Sequence, residues 1–183
     1  MTGLARRRLL SRCAGVLLSA LVWPAAQADG PRQIAWSELV PQDGDSMKAL
    51  RGVDLSTLQD DDPRANELLM KMREAADNAP PNPALAGSQI RIAGFIVPLE
   101  ENGGEITEFL LVPYFGACIH TPPPPANQII HVNAPPASKG WRSMDLVWIT
   151  GTLRISRADT MMGVSGYQMR AETMTRATPA SAK

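Results

Sequence analysis

Apolar residues recur at every second position from residue 89 onward, which is the period of β-strands. Residues 147, 149, 151, 153 and 155 are apolar or glycine and alternate with a more polar series at 148–156. The pattern predicts a half-buried central strand there, with its odd-numbered residues facing the core. It predicts four further strands, at residues 89–98, 107–112, 129–132 and around 167–171, with a turn at Asn102-Gly103-Gly104. In the strand at 89–98, Ile90, Ile92, Gly94 and Ile96 share one face, which we expect to be buried.

One helix is predicted before the strands. Acidic residues 60–62 precede Pro63, and this order is typical of a helix start, where negative charge faces the positive end of the helix dipole. The helix should run from Pro63 to about Asn78 and end before the prolines at 80–83. Its apolar stripe consists of Leu68, Leu69, Met72 and Ala76. Earlier in the chain, Trp36 and Leu39 are expected to dock a single turn on the domain.

These elements indicate a mainly β (α+β) fold. Gly94 and Gly151 stand in mid-strand, where a small sheet can bend sharply and close. We therefore expect a small closed or partly open barrel of the oligonucleotide/oligosaccharide-binding (OB) type with one N-terminal helix. A plain antiparallel sandwich is the alternative. The expected domains are a lead-in with the helix at 29–88, the barrel at 89–174 and a disordered tail at 175–183.

The segment at positions 1–28 has the composition of a cleavable signal peptide. Arg6, Arg7, Arg8 and Arg12 precede an apolar run that extends from Cys13 to Trp23, and positions 26–28 form a small-x-small cleavage site. The sequence therefore predicts a periplasmic protein, exported by the general secretory or the twin-arginine route. No later apolar run reaches membrane length, so no stable membrane insertion is expected after cleavage.

Charge narrows the classes of partner. Four of the 18 basic residues and none of the 18 acidic residues lie in the segment 1–28, so the remainder carries 14 basic and 18 acidic residues, a net charge of −4. Nucleic acid is excluded as a predicted partner because phosphate binding requires a basic surface. Polybasic attachment to an anionic membrane is excluded for the same reason.

The two cysteines of the chain indicate that the segment around Cys118 is a candidate functional site. Cys13 is lost with the signal peptide, which leaves Cys118 as the only cysteine. It cannot form an internal disulfide, so in an oxidising compartment it should be buried, bound to a metal, or reactive.

Cys118 lies beside both histidines of the chain. His120 is two positions away, on the same side of the chain if the segment is extended. His131 follows the run Pro122, Pro123, Pro124 and Pro125, which should turn the chain and return His131 toward Cys118. A cysteine with two histidines suits zinc, or alternatively copper, and would leave one coordination position open. Asn127 and Gln128 are expected to orient a histidine, and the prolines to form a rigid loop.

Two alternatives to this metal site stay open. Cys118 could be a small buried apolar residue, with both histidines bonded to the backbone. It could instead be a nucleophile, with a histidine as base and Asn127 or Asp145 orienting it. Met144, Met161 and Met162 raise the question of copper, but methionine is more often a core residue.

Four blocks of sequence carry a family resemblance. They are Trp36-x-x-Leu39-x-Pro41, Gly94-Phe95-x-Val97-Pro98-Leu99, Phe109-Leu110-Leu111-Val112-Pro113, and the block from Cys118-x-His120 through the four prolines to Asn127-Gln128. The chain resembles a bacterial family of exported proteins and lipoproteins of unknown function. The resemblance supplies no catalytic residue that could be assigned to a position of this chain. Some members of this family are encoded near ATP-driven (ABC) transporters and zinc-related periplasmic proteins. The resemblance therefore favours a role in zinc handling.

The sequence thus predicts a periplasmic accessory protein that binds a transition metal, with zinc favoured, and serves transport or another envelope process without catalysis. The expected partners are envelope proteins or ABC-transporter components. The second interpretation is a metal-free module that docks an envelope protein through the face of its barrel. The third is a thiol-dependent enzyme that uses Cys118.

Overall fold

The computed structural model describes residues 30–42, 63–121, 123–136 and 139–178. Several predictions fall outside these residues: the signal peptide at 1–28, the acidic helix start at 60–62, Pro122, and positions 179–183 of the tail. Within the described ranges, no helix is long and apolar enough to cross a membrane.

The described chain is mainly β, with one α-helix. The strands are β1 (Arg32–Gln33), β2 (Gln89–Asn102), β3 (Glu105–Val112), β4 (Ile130–Asn133), β5 (Leu146–Thr160) and β6 (Gly163–Arg176), and the helix is α1 (Pro63–Asp77). The predicted strands and the turn at residues 103–104 are present, although β2, β5 and β6 are longer than predicted. β6 extends through Arg176, into the segment predicted as a tail.

All six strands belong to one sheet, with the order β1-β2-β3-β4-β6-β5. β2 also pairs with β5 in antiparallel register, from Gln89 opposite Thr152 to Phe95 opposite Leu146. This pairing joins β5, at one end of the row, to β2, so β2, β3, β4, β6 and β5 form a closed ring of hydrogen bonds, with β1 paired to β2 outside it. β4 and β6 are parallel, and the other neighbours within the ring are antiparallel.

The alternating apolar residues fill the inside of this ring. Ile90, Ile92 and Ile96 of β2 are fully buried, as are Ile149 of β5 and Tyr167 of β6. This confirms the predicted buried faces of β2 and β5 as far as Leu153. Ile155 is 41% exposed, because beyond this point β5 continues as a hairpin with β6.

Trp148 departs from the expected alternation. It lies on the predicted polar face of β5 but is only 8% exposed. The Arg91 guanidinium lies 4.3 Å from the centre of its ring, so a cation–π contact covers the indole. The expectation that the even-numbered residues of β5 form the more polar, less buried face therefore does not hold at Trp148.

A second apolar cluster lies on the other face of β2 and β3, beneath the loop between β3 and β4. We call it the outer cluster; its buried members are Val97, Leu110, Val112, Ala117 and Ile129. β3 is consequently buried on both faces between Phe109 and Val112, which explains its continuous apolar run.

The lead-in docks as predicted. Residues Trp36–Leu39 form one turn of 3-10 helix, Leu39 is fully buried, and the Trp36 indole donates to the Ala93 carbonyl at 2.6 Å. The Tyr167 hydroxyl donates to the Leu39 carbonyl at 2.6 Å and accepts from the Asn82 amide at 2.5 Å. These bonds tie the lead-in to β6.

Helix α1 has the predicted bounds to within a residue but packs only lightly. No residue whose side chain is described in α1 is buried, and Leu69 of the predicted apolar stripe is 61% exposed. The charged residues between the members of this stripe are exposed, namely Arg64, Glu67, Lys71 and Glu74.

Candidate functional site

The segment around Cys118 is a tight turn and not the extended strand that the pairing of Cys118 with His120 assumes. The Gly116 carbonyl accepts from the amides of His120 at 2.9 Å and Thr121 at 3.2 Å, and Cys118 adopts a left-handed backbone with φ of 65°. Side chains at positions i and i+2 of a turn do not share one side in the way that they do in a strand.

The Cys118 side chain packs against the outer cluster. Burial raises the pKa of its thiol to about 11, and the positive charge of Arg73 on α1 opposes this rise only in part. A thiol with this pKa is almost entirely protonated at neutral pH, which disfavours the nucleophile interpretation. The same turn contacts Met144, whose sulfur lies 3.2 Å from the Gly116 amide. Met144, like Cys118, packs on the outer cluster.

His131 occupies a different setting, on β4. Its register opposite Leu110 directs its side chain to the outer face of the sheet, together with Glu108. Nε2 of His131 lies 2.7 Å from Oε1 of Glu108, and the two side chains are 12% and 25% exposed. The angles at these two atoms do not fit a hydrogen bond, so the imidazole and the carboxylate are in close contact without one. Asn133 donates to the same carboxylate oxygen at 3.3 Å.

The residues expected to support a metal site have structural contacts instead. Asn127 is 2% exposed and donates to the Pro80 carbonyl at 3.0 Å. The backbone N–H of Gln128 donates to the Pro125 carbonyl at 2.7 Å. Pro124 is buried, and Pro123 lies against Gly163, where an added Cβ would meet it at 3.1 Å. Pro123 thus packs the loop against the start of β6.

The structure does not bring the predicted ligands together. Among the described residues, no three side chains of His, Cys, Asp or Glu are grouped so that they could hold one ion. Cys118 packs on the outer cluster, His120 is exposed beside Gly116, and His131 pairs with Glu108.

His131 lies instead in an open cavity of about 520 Å³. We call it the acidic cavity because its lining contains three carboxylates, Glu100, Glu108 and Asp159. The other lining residues come from the end of β2, from β4 and from the β5–β6 hairpin: Pro98, Leu99, His131, Ala158, Thr160, Met161 and Met162.

Three carboxylates line this cavity, and its lining includes no lysine or arginine. Asp159 pairs with Arg157 at 2.9 Å, and Glu108 faces His131. Glu100 has no side-chain hydrogen bond or ion pair with any described residue. Met161 at the rim is fully exposed. The cavity therefore offers a carboxylate and a flexible apolar side chain to a ligand.

Sequence reasoning identified His131 and noted both methionines but missed Glu100, Glu108 and Asp159. These acids are scattered between positions 100 and 159 of a chain with 18 acidic residues. The sequence offered one clue to Glu108, which is that this charged residue directly precedes the apolar run at 109–112. Its proximity to His131 depends on the β3–β4 register, which the sequence does not specify.

The fold and the cavity define a small, mainly β protein with a ring of paired strands and one concave, acid-lined face. The family model for a protein of unknown function, DUF3299, matches residues 36–176, and the chain belongs to this family. A crystal structure of a DUF3299 family protein from Pseudomonas aeruginosa PAO1 is 36% identical in sequence, with a TM-score of 0.60. The match covers 81% of this chain and 97% of that chain. No functionally curated protein matches the chain.

Proposed function

We propose that this protein is a non-catalytic docking module that works outside the cytoplasm and binds a basic segment of a partner protein in the acidic cavity. The observation that carries the proposal is the position of the cavity on the ring. Glu108 of β3 and His131 of β4 form its floor, and the β5–β6 turn at Met161 and Met162 forms its rim.

This position is the one that OB-type barrels use for binding. The ring contains five strands, and counted from β2, its second and third strands are β3 and β4, and its fourth and fifth are β5 and β6. In OB folds the face of strands 2 and 3 and the loop between strands 4 and 5 contact the ligand. We accordingly propose that the ring is an OB-type barrel and that the acidic cavity is its binding face.

Charge and surface chemistry select the ligand class. Carboxylates repel the phosphates of oligonucleotides, the common ligands of such a face. They favour a lysine or arginine side chain, which would pair with Glu100 and lay its methylene groups along Leu99 and Met161. A flexible methionine at the rim adapts to partners of different shape. A protein segment that carries basic and apolar residues together satisfies all these features.

The proposal is tested by amide-shift NMR of the labelled protein. A blocked tetrapeptide with one lysine between apolar residues is titrated, and the same peptide with glutamate in place of lysine is the control. With the lysine peptide only, we expect saturable shifts confined to residues 98–100 at the end of β2, to β3 and β4, and to the 158–162 hairpin. Glu100→Gln should weaken binding, whereas Glu101→Gln, exposed but outside the cavity lining, should leave it unchanged.

Absence of shifts at the cavity, or equal responses to both peptides, would contradict the docking proposal. Equal losses in Glu100→Gln and Glu101→Gln would also contradict it, since they would indicate a general charge effect.

A further inference from the structure

A second cavity, of about 440 Å³, opens on the polar face of β5 and β6. Thr152 and Arg154 of β5 and Arg170 and Glu172 of β6 contribute to its lining, together with Pro135 and Pro136 from the segment after β4. Its residues are distinct from those of the acidic cavity, and its character is the opposite, with two arginines against one glutamate.

The strand register places the two arginines side by side. Arg170 is paired with Thr152, and Arg154 is paired with Gln168, so the arginines are diagonal neighbours on one face of the sheet. Diagonal neighbours on antiparallel strands lie roughly 7–8 Å apart at the backbone, within reach of long side chains. Two like charges at this separation repel each other unless an anion lies between them.

No acid in the described structure neutralises this pair. Neither guanidinium makes a hydrogen bond or an ion pair with a described residue, in contrast to Arg32, Arg73, Arg157 and Arg176. Glu172 shares the cavity, but its carboxylate accepts from the Gln89 amide group at 2.6 Å, and Gln89 accepts in turn from Thr152 at 2.7 Å. These hydrogen bonds hold the carboxylate of Glu172, the one acidic residue in the cavity lining, toward β2.

We infer that this cavity binds a phosphate group between Arg154 and Arg170. The guanidinium presents a planar fork of donors that matches phosphate oxygens, and two adjacent forks can satisfy several of its oxygens at once. The chemistry is shared by a free phosphate compound and by the headgroup of an anionic phospholipid. The inference does not depend on the docking function of the acidic cavity.

The experiment follows the side-chain Nε–Hε resonances of the arginines in the full, isotope-labelled protein. Sodium phosphate is titrated at constant ionic strength against chloride, with sodium acetate as a second anion. We expect saturable shifts of Arg154 and Arg170 with phosphate, weaker by about tenfold or more in Arg154→Gln and in Arg170→Gln. Arg73→Gln, which removes an exposed arginine of α1, is the matched control and should bind as the wild type.

Vesicles of phosphatidylcholine with and without phosphatidylglycerol distinguish the source of the phosphate. Retention on the anionic vesicles that is lost in both cavity variants identifies a lipid headgroup, whereas phosphate binding without retention identifies a soluble phosphate compound. The inference is overturned if phosphate causes no saturable shift, if acetate binds equally well, or if Arg73→Gln weakens binding as much as the cavity variants.

Discussion

Cys118 shows how strongly its setting controls the chemistry of one residue. Its backbone is left-handed, its side chain packs on the outer cluster, and burial raises the pKa of its thiol to about 11. A metal that binds this sulfur must displace its proton. Ligation by Cys118, His120 and His131 together would also require the 113–121 turn to move, since the structure does not group these side chains.

The zinc prediction therefore has a pH dependence that can be measured. If Cys118 is a ligand, its pKa of about 11 implies that each unit of decreasing pH below that value weakens the apparent affinity about tenfold, because protons compete for the sulfur. The histidines add to this loss at lower pH. Calorimetric titration of metal-stripped protein with zinc, and separately with copper, between pH 7 and 9 measures the slope.

Cys118→Ser should remove most of this slope and His131→Ala should weaken binding while preserving it. If no ion binds saturably near one per chain, or if Cys118→Ser binds as well as the wild type, the metal prediction is wrong. The docking proposal is unaffected by that result, because it uses Glu100 and not Cys118.

At the scale of elements, two glycines, Gly94 and Gly151, allow the strands to pack closely. A Cβ added at Gly151 would lie 2.5 Å from the Arg170 carbonyl, and one added at Gly94 would lie 2.8 Å from both Leu111 and Trp36. Both glycines were predicted from their mid-strand positions to mark bends, and the structure shows backbone and side chains in close approach there. On the same strand as Gly151, Ile149 is fully buried inside the ring.

Substitution of Ile149 by Asp should unfold the protein. The change places an unpaired carboxylate in an apolar core, at a cost of several kcal/mol against a typical total stability of ~5–15 kcal/mol. Thr150→Asp is the matched control, because Thr150 is the next residue of β5 and is only partly buried. Circular dichroism during thermal melting should show loss of the folded state for Ile149→Asp and a much smaller change for Thr150→Asp. Similar melting of the two variants would refute the assignment of the faces of β5.

At the scale of the whole molecule, two cavities of opposite charge occupy different parts of the strand ring. The acidic cavity uses β2, β3, β4 and the β5–β6 hairpin, whereas the arginine cavity uses β5 and β6 farther from that hairpin and the segment after β4. A docking module with both could bind a basic protein segment and a phosphate group at the same time. Its place of action depends on the N-terminal segment that is predicted to direct export.

Export with cleavage is the prediction at this scale. The arginine-rich start, the apolar run from Cys13 to Trp23 and the site at positions 26–28 predict a mature protein that begins near Asp29. Intact-mass measurement of protein released by osmotic shock should give the mass of the chain from position 29 to position 183, and Ala26→Lys and Ala28→Lys together should block processing. Recovery of the wild-type chain with the segment 1–28 attached would contradict the prediction.

The sequence by itself determined the elements, because alternation of apolar residues and proline placement are local. It predicted the helix from Pro63, the face of β2 that carries Ile92, the face of β5 that carries Ile149, and the docking of Leu39. It did not predict the burial of Trp148, because the residue that covers this side chain, Arg91, belongs to the neighbouring strand β2.

Only the tertiary structure decided the candidate sites, because they depend on register and closure. Glu108 meets His131 through the β3–β4 pairing, and Arg154 meets Arg170 through the β5–β6 pairing, although neither pair is recognisable by spacing. The predicted ligand set relied on extended geometry around Cys118, and hydrogen bonds to the Gly116 carbonyl replace it with a turn. Spacing along a chain fixes the relative positions of side chains only within a regular element, whereas a shift of one residue in pairing moves every side chain of a strand to the other face.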